Sequence, residues 1–323
     1  MNALVTGATG FIGGHLAARL AKQGFSVKCL VRRPPVSGGV AGLEASAIIK
    51  GDCTRKESLV EAVRGADYIF HLAGITKTKK ASDFYSVNSE GTRNLLEITA
   101  QENPGCRRFV YVSSLAAAGP SLNGHLRREE DEPAPVSEYG RSKLLGERAV
   151  AEFARSVSSV ILRPAAVYGP GDRDFLVLFK MVSKGVYPYW GESSYSLIFV
   201  EDLVTAIIEA AASPATAGGT YHLSDGPCHE GMEIAASISE ALGRRRPPAR
   251  LRLPSFLVPV IAGISGLLPG AGIINSDKAR ELAYSNWCCE AGKAGVEFGF
   301  AAKTTLKEGI KWTADWYRTH QWL

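Results

Sequence analysis

The sequence predicts an α/β protein: a doubly wound parallel sheet with a smaller C-terminal lobe. Two observations carry that prediction. Apolar runs of strand length alternate with segments of helical period from residue 3 to about residue 223, a rhythm that lays parallel strands side by side through crossover helices. The first of these runs, Ala3-Leu4-Val5-Thr6, breaks into glycines at 7, 10 and 13. It then passes without a linker into an amphipathic helix carrying Phe11, Leu16 and Leu20.

That strand, turn and helix organises the rest of the chain. Gly7 permits the turn, Gly10 lets the backbone come close to a pyrophosphate, and Gly13 lets the helix pack on the strand. The free N–H groups and positive dipole end of the helix then face phosphates. A dinucleotide is the expected ligand, with Gly7, Thr9, Gly10, Phe11, Ile12 and Gly13 around it.

The second strand spans 26–31 and ends in Arg32 and Arg33. An acidic side chain at this strand end hydrogen-bonds a ribose 2′-hydroxyl, whereas an arginine pairs a 2′-phosphate. Val31 stands where the acid would be, so NADP is expected over NAD, with Arg32 the first contact and Arg33 the second. A short third strand over 47–50 leads into Gly51-Asp52-Cys53, a helix over 56–63 returns to a strand over 67–71, and that strand opens into Leu72-Ala73-Gly74. Ligands lie at the carboxyl ends of such strands, so Asp52, Cys53, Leu72, Ala73 and Gly74 line up beside the glycine turn. Asp52 can accept from an adenine amino group.

Residues 82–102 carry Phe84, Val87, Gly91, Leu95 and Ile98 at helical spacing, with Asn88 beside the apolar stripe. A strand over 108–112 runs into Ser113-Ser114-Leu115, residues 123–135 read as a polar loop, and a helix from about 137 contains Tyr139, Lys143 and Glu147. A strand over 160–162 leads into Arg163-Pro164. Two more strands, 198–200 and 220–223, flank a helix over 200–212, and the remainder from 226 to 323 reads as helical with proline breaks. This assigns 1–167 and 199–225 to dinucleotide binding and leaves 168–198 and 226–323 as a substrate-binding lobe.

Tyr139 and Lys143 lie four apart on one helix, so they project from nearly the same face. A tyrosine with pKa near 10 is a poor base at neutral pH. A neighbouring ammonium group and a positively charged nicotinamide favour its phenolate and bring it into range for proton transfer. Ser114, at a neighbouring strand end, can hydrogen-bond a substrate oxygen.

The composition narrows the alternatives. With 37 Lys+Arg and 32 Asp+Glu the net charge is only +5 and scattered, so nucleic-acid binding is not implied. The exception is Arg244-Arg245-Arg246 with Arg250 and Arg252, read as a solvated basic connector in preference to an anion site. Cysteines 29, 53, 106, 228, 288 and 289 have no metal-ligand spacing, and the adjacent pair is poorly placed to bridge itself, so no metal is expected and a reduced, cytoplasmic protein fits best. No signal peptide fits before a strand that starts at residue 2. The most apolar stretch, 256–268, contains Pro259 and is closed by Pro269. It falls short of the roughly 20 residues that span a bilayer and reads as a packed or lid helix.

The chain resembles the extended short-chain dehydrogenase/reductases, the NAD-dependent epimerase/dehydratase family with a Rossmann-type fold. The likeness rests on Thr6 to Gly13, Asp52, His71-Leu72-Ala73-Gly74, Asn88 with Gly91-Thr92, Ser113-Ser114, Tyr139-Gly140-Arg141-Ser142-Lys143, Arg163-Pro164 with Tyr168-Gly169-Pro170-Gly171, and Val200-Glu201-Asp202-Leu203. It implies that Tyr139 is the acid/base, Lys143 anchors the nicotinamide ribose, Ser114 orients the substrate and Asn88 supports the site. Backbone around Pro164 to Val167 would hold the carboxamide. It also implies a homodimer through the helices containing Asn88 and Tyr139.

Two departures narrow the substrate. Sugar dehydratases of the family carry Asp-Glu where this chain has Leu115-Ala116, and nucleotide-sugar epimerases usually carry an arginine where this chain has Tyr195. Thr76, Leu115 and Tyr195 are therefore expected substrate contacts in a site resembling the dihydroflavonol-reductase and hydroxysteroid-dehydrogenase branches. A nucleotide-sugar epimerase with tightly held NAD, using Arg173 or the 244–252 run, is the alternative. A non-catalytic dinucleotide sensor is a third reading, disfavoured because Tyr139 and Lys143 both stand.

Overall fold

The first strand, β1 (Asn2–Thr6), buries both of its faces: Ala3 and Val5 point to one side and Leu4 to the other. A strand apolar on both faces must lie in the middle of a sheet covered by helices on both sides. In the computed structural model, which describes residues 1–33, 47–122, 124–189, 191–252 and 276–323, it does. β2 (Ser26–Val31), β3 (Ile48–Lys50), β4 (Tyr68–His71), β5 (Arg108–Val112), β6 (Ser159–Pro164) and β10 (Thr220–Leu223) join it in one seven-stranded sheet. Its order is β3-β2-β1-β4-β5-β6-β10 and every pairing is parallel.

Helices α1 (Phe11–Lys22) and α8 (Val200–Ala212) cover one face, where Leu16, Leu20, Leu203 and Ile207 pack on Val5, Phe70, Val110 and Val160. Each such side chain contributes about 1.5–3 kcal/mol by leaving water. The other face carries α2 (Val60–Val63), α4 (Gly91–Glu102) and α6 (Glu138–Glu152), with Leu95, Leu96, Ala149 and Val150 against Leu4, Ile69 and Phe109.

Between β5 and α6 lies the short α5 (Leu115–Ala118). β7 (Ala166–Tyr168) leaves the large sheet to pair with β9 (Ser194–Phe199), which β11 (Cys228–Glu230) and β13 (Asn286–Trp287) flank. β8 (Val186–Tyr189) pairs with β12 (Ala249–Arg252). Helices α7 (Asp174–Ser183), α9 (Gly231–Ala241) and α12 (Leu306–Thr319) enclose a separate core of Phe179, Ile234, Ile310 and Tyr317. α10 (Ser276–Leu282) and α11 (Gly292–Phe298) complete the description.

Four expectations need correction. Residues 82–102 are not one α-helix: α3 (Ala81–Phe84) widens into a π turn over Tyr85–Glu90 before α4. Such turns place functional side chains, and Asn88 sits in this one. The strand expected at 198–200 is the end of β9 and belongs to the small sheet. The C-terminal segment adds β11, β12 and β13 to its helices. Finally, the expectation of reduced cysteines fails for one pair. Cys228 and Cys288, 60 apart in sequence, are disulfide-bonded with Cα atoms 5.7 Å apart; Cys228 starts β11 and Cys288 directly follows β13. The expected lid helix at 256–268 lies outside the described residues. No described helix is long and apolar enough to cross a membrane.

Candidate active site

The sheet order reverses between β1 and β4, which opens a crevice at their carboxyl ends. Gly7 adopts φ +76° there, and a Cβ on it would lie 2.7 Å from Ala73 N. A Cβ on Gly13 would lie 2.2 Å from the Gly7 carbonyl oxygen, so helix and turn touch backbone to backbone. Gly10 caps α1 without a side-chain hydrogen bond, and the first turn, which holds Phe11 and Ile12, has no acid. The N–H groups of this helix end are left for an anion, as a pyrophosphate requires. Thr9 is exposed in the same turn. These features fit a dinucleotide.

A directed chain of hydrogen bonds fixes the adjoining strand ends. Ala73 N donates to Thr6 Oγ1 (3.1 Å), which meets His71 Nδ1 at 2.7 Å. His71 Nε2 meets Thr92 Oγ1 at 2.9 Å, and Thr92 donates to the Asn88 carbonyl (2.8 Å). The Thr92 proton is committed to Asn88, so His71 is assigned as the neutral Nε2–H tautomer. Burial, reinforced by the Lys143 charge, lowers its pKa to about 3.

Arg32 and Arg33 are exposed at the end of β2, and the Arg32 charge is felt at the buried Cys53 thiol. Burial, with the neighbouring Asp52 charge, raises that thiol to about 12. Asp52 Oδ1 accepts from Thr54 N and Oγ1, both at 2.9 Å, which fixes the carboxylate in the loop after β3. Leu72 is half-buried and Gly74 exposed in the loop after β4. A Cβ on Gly74 would come 3.0 Å from Asn88 Oδ1.

Asn88 is completely buried. Its Oδ1 accepts from Ile75 N (2.8 Å), and its Nδ2 donates to Ile75 O (3.0 Å) and to Ser142 Oγ (2.9 Å). Ser142 donates in turn to the Tyr139 carbonyl (2.7 Å). Both amide protons are thus committed to holding a loop and a helix, and Asn88 acts as a positioning residue.

Ser114 caps α5, its Oγ accepting from Ala116 N (3.1 Å). A hydrogen bond between Ser114 and the Tyr139 side chain works against the burial that pushes the tyrosine up to about 12. One turn on, Lys143 is 4% exposed. Its Nζ donates to the Val112 carbonyl (2.7 Å) and stands 4.2 Å from the centre of the Tyr111 ring. Burial lowers its pKa to about 7, with the Glu147 charge acting in the opposite direction.

Glu147, a further turn along the same face, is placed on this helix by the sequence but given no role there. Its carboxylate accepts two hydrogen bonds from Arg163, 2.9 Å from Nε and 2.6 Å from Nη2, and a short one from Ser113 Oγ. The sequence reading also missed the cap on this helix. Asp277, on α10, accepts from Glu138 N (2.7 Å) and Tyr139 N (3.0 Å), and Glu281 accepts from Ser137 Oγ (2.8 Å). No motif signals these contacts, which join segments well over a hundred residues apart.

The expected substrate contacts are spread around this centre. Thr76 is exposed on the loop after β4. Leu115 is buried against Ala118, Ala165 and Cys289, so it backs the wall rather than lining the opening. Tyr195 is half-buried on β9 and acts electrostatically on Lys278, which donates to Glu281 Oε2 at 2.7 Å. Pro164 is buried at the end of β6 and Val167 half-buried on β7. Among the described residues no cluster could hold a metal ion.

The chain is similar to known proteins. Over 325 residues the chain is 34% identical to a ceramide reductase of Caulobacter vibrioides, covering 99% of this chain and 95% of that protein. It is 31% identical over 277 residues to a 3 beta-hydroxysteroid dehydrogenase/Delta 5-->4-isomerase of Mycobacterium tuberculosis, covering 78% and 72%. Among solved structures it resembles MoeE5 in complex with UDP-glucuronic acid and NAD, at 25% identity and TM-score 0.78, covering 99% and 100%. Residues 3–224, from the glycine turn through Tyr139 and Lys143 to the last strand of the large sheet, match the description of one enzyme family. The chain belongs to the NAD dependent epimerase/dehydratase family.

Proposed function

We propose that this enzyme uses NADP to interconvert a ketone and an alcohol on a large apolar substrate, a long-chain or polycyclic compound of the kind named in its ceramide- and hydroxysteroid-acting relatives. One observation carries the reading. The Ser114–Tyr139–Lys143 cluster is backed by the buried run Leu115–Ala118, with no acid beside Ser114 to remove water from a sugar. In the reducing direction Ser114 Oγ holds the carbonyl oxygen and Tyr139 gives it a proton. The Lys143 ammonium favours the phenolate left behind. The nicotinamide, when bound, supplies the hydride.

Arg32 and Arg33 select the 2′-phosphate, and Asp52, Leu72, Ala73, Gly74, Pro164 and Val167 complete the cofactor cleft. Residues 168–198 and 226–323 form the substrate-binding lobe. The cytoplasmic location expected from the sequence conflicts with the Cys228–Cys288 bond, because cytosolic thiols stay reduced. Trapping Cys228 and Cys288 as thiols in freshly lysed cells supports that location, and finding them bridged refutes it. A homodimer through the Asn88 and Tyr139 helices is tested by analytical ultracentrifugation.

The deciding experiment titrates the protein and an Arg32→Ala variant with NADPH and NADH, then assays Tyr139→Phe on apolar ketones and on UDP-sugars. The expected results are NADPH preference lost in Arg32→Ala and a ~10²–10⁴-fold lower kcat in Tyr139→Phe with cofactor affinity intact. Turnover of UDP-sugars with NAD that resists removal would favour the epimerase reading, which the UDP-glucuronic acid complex of MoeE5 supports.

A further inference from the structure

We propose that the face built from the end of α7, β8 and β12 docks on an anionic phospholipid membrane surface. The basic run noted in the sequence folds onto this one place. Arg244 Nη1 donates to Ser183 O (2.6 Å) and Ala249 N donates to Gly185 O (2.8 Å). β12 therefore lies beside β8 directly after α7, whose last turn carries Lys180 and whose C-cap is Lys184.

Arg244, Arg245, Arg246, Arg250, Arg252, Lys180 and Lys184 are all exposed, and none has a carboxylate within ion-pairing distance among the described residues. Outside this face some exposed cations are paired, as in Lys56–Glu97 and Arg64–Glu102. These seven cations exceed the net charge of +5, so the rest of the chain is net acidic. The seven cluster around the end of α7, β8 and β12.

Apolar side chains decide what kind of anion this face meets. Leu251 stands between Arg250 and Arg252 at 52% exposure, and Met181 follows Lys180 at 38%. A groove beside α7 adds Leu176, Val177 and Trp322. Aliphatic groups among long cationic side chains match a lipid interface, where the apolar atoms enter the headgroup boundary and the charged ends stay at its level. Single-stranded nucleic acid instead needs open aromatic faces for base stacking. Here the Tyr189 ring lies under Arg250, 5.8 Å from its guanidinium, and the Trp322 ring has Arg173 at 5.4 Å. The same groove reaches Lys77, next to Thr76 at the crevice, so a docked enzyme would present its substrate opening toward the lipid. The docking itself rests on the surface and not on the substrate assignment.

The full-length protein, without substrate, is tested by flotation with phosphatidylcholine vesicles, with and without phosphatidylglycerol. Binding only to the phosphatidylglycerol vesicles, released by added salt, is expected. The triple variant Arg245→Gln/Arg246→Gln/Arg252→Gln should lower partitioning on the order of 100-fold, since each cation near an anionic surface contributes roughly fivefold. Its circular dichroism and thermal midpoint should match the parent. Equal binding to both vesicle types, no binding, unaltered binding by a folded triple variant, or tighter binding to an oligonucleotide at equal phosphate concentration would each overturn the proposal. A failed ketone assay would leave it standing.

Discussion

Replacing Glu147 should damage the protein twice, once through stability and once through the titration of its neighbour. The carboxylate is 5% exposed and its partner Arg163 4%, and they meet through two hydrogen bonds of 2.9 and 2.6 Å. Removing one member of such a pair strands a buried charge, at a cost of roughly 3–5 kcal/mol. Glu147→Gln keeps the shape and one acceptor, so it belongs at the lower end, about 3 kcal/mol. A domain with the usual 5–15 kcal/mol of stability remains folded.

The second effect is electrostatic. Burial has brought Lys143 down to about 7, and the Glu147 charge opposes that fall. In the variant the lysine loses its proton at a lower pH, and its support for the Tyr139 phenolate goes with it. The alkaline limb of the kcat profile should therefore move to lower pH. Urea unfolding measures the first effect and the pH dependence of kcat the second. A variant within about 1 kcal/mol of the parent, with an unmoved alkaline limb, would refute both the pairing and its reach to Lys143.

His71 should make the fold acid-sensitive. Its folded pKa of about 3 lies below the ordinary 6.5, so between those values the unfolded chain takes up a proton that the folded chain refuses, and stability falls as pH drops through that window. Urea midpoints near pH 5 and pH 7 should differ, and the difference should shrink in His71→Gln. Gly13→Ala puts a methyl group 2.2 Å from the Gly7 carbonyl oxygen, so a loss of about 1–3 kcal/mol or more, with loss of dinucleotide affinity, is expected in thermal melts and titration. Asp277→Ala uncaps the helix that carries Tyr139, at a cost of about 1 kcal/mol, and should lower kcat while leaving cofactor affinity unchanged.

Local chemistry explains how much could be read in advance. The glycine turn, the strand from Ser26 to Val31 and the helix from Val200 to Ala212 follow from apolar periodicity and residues with special backbone freedom, all encoded within a few positions. The Tyr139–Lys143 pair follows from helical spacing. Glu147 shares that spacing, but its importance depends on Arg163 and Ser113, which reach it only once β5 and β6 lie side by side. Asn88, in the π turn, is held by hydrogen bonds to Ile75, and Cys228 meets Cys288 from a segment 60 residues away. None of these has a local signature.

The cap on the Tyr139 helix bears on how this enzyme could be rebuilt. Asp277 and Glu281 come from α10, in the later segment, yet they hold the residues that start the helix bearing Tyr139. If the later segment is the substrate-binding lobe proposed above, grafting in a different one to change specificity discards that clasp. A chimera has to carry both carboxylates across the splice, or the start of the Tyr139 helix loses its three hydrogen bonds to the later segment.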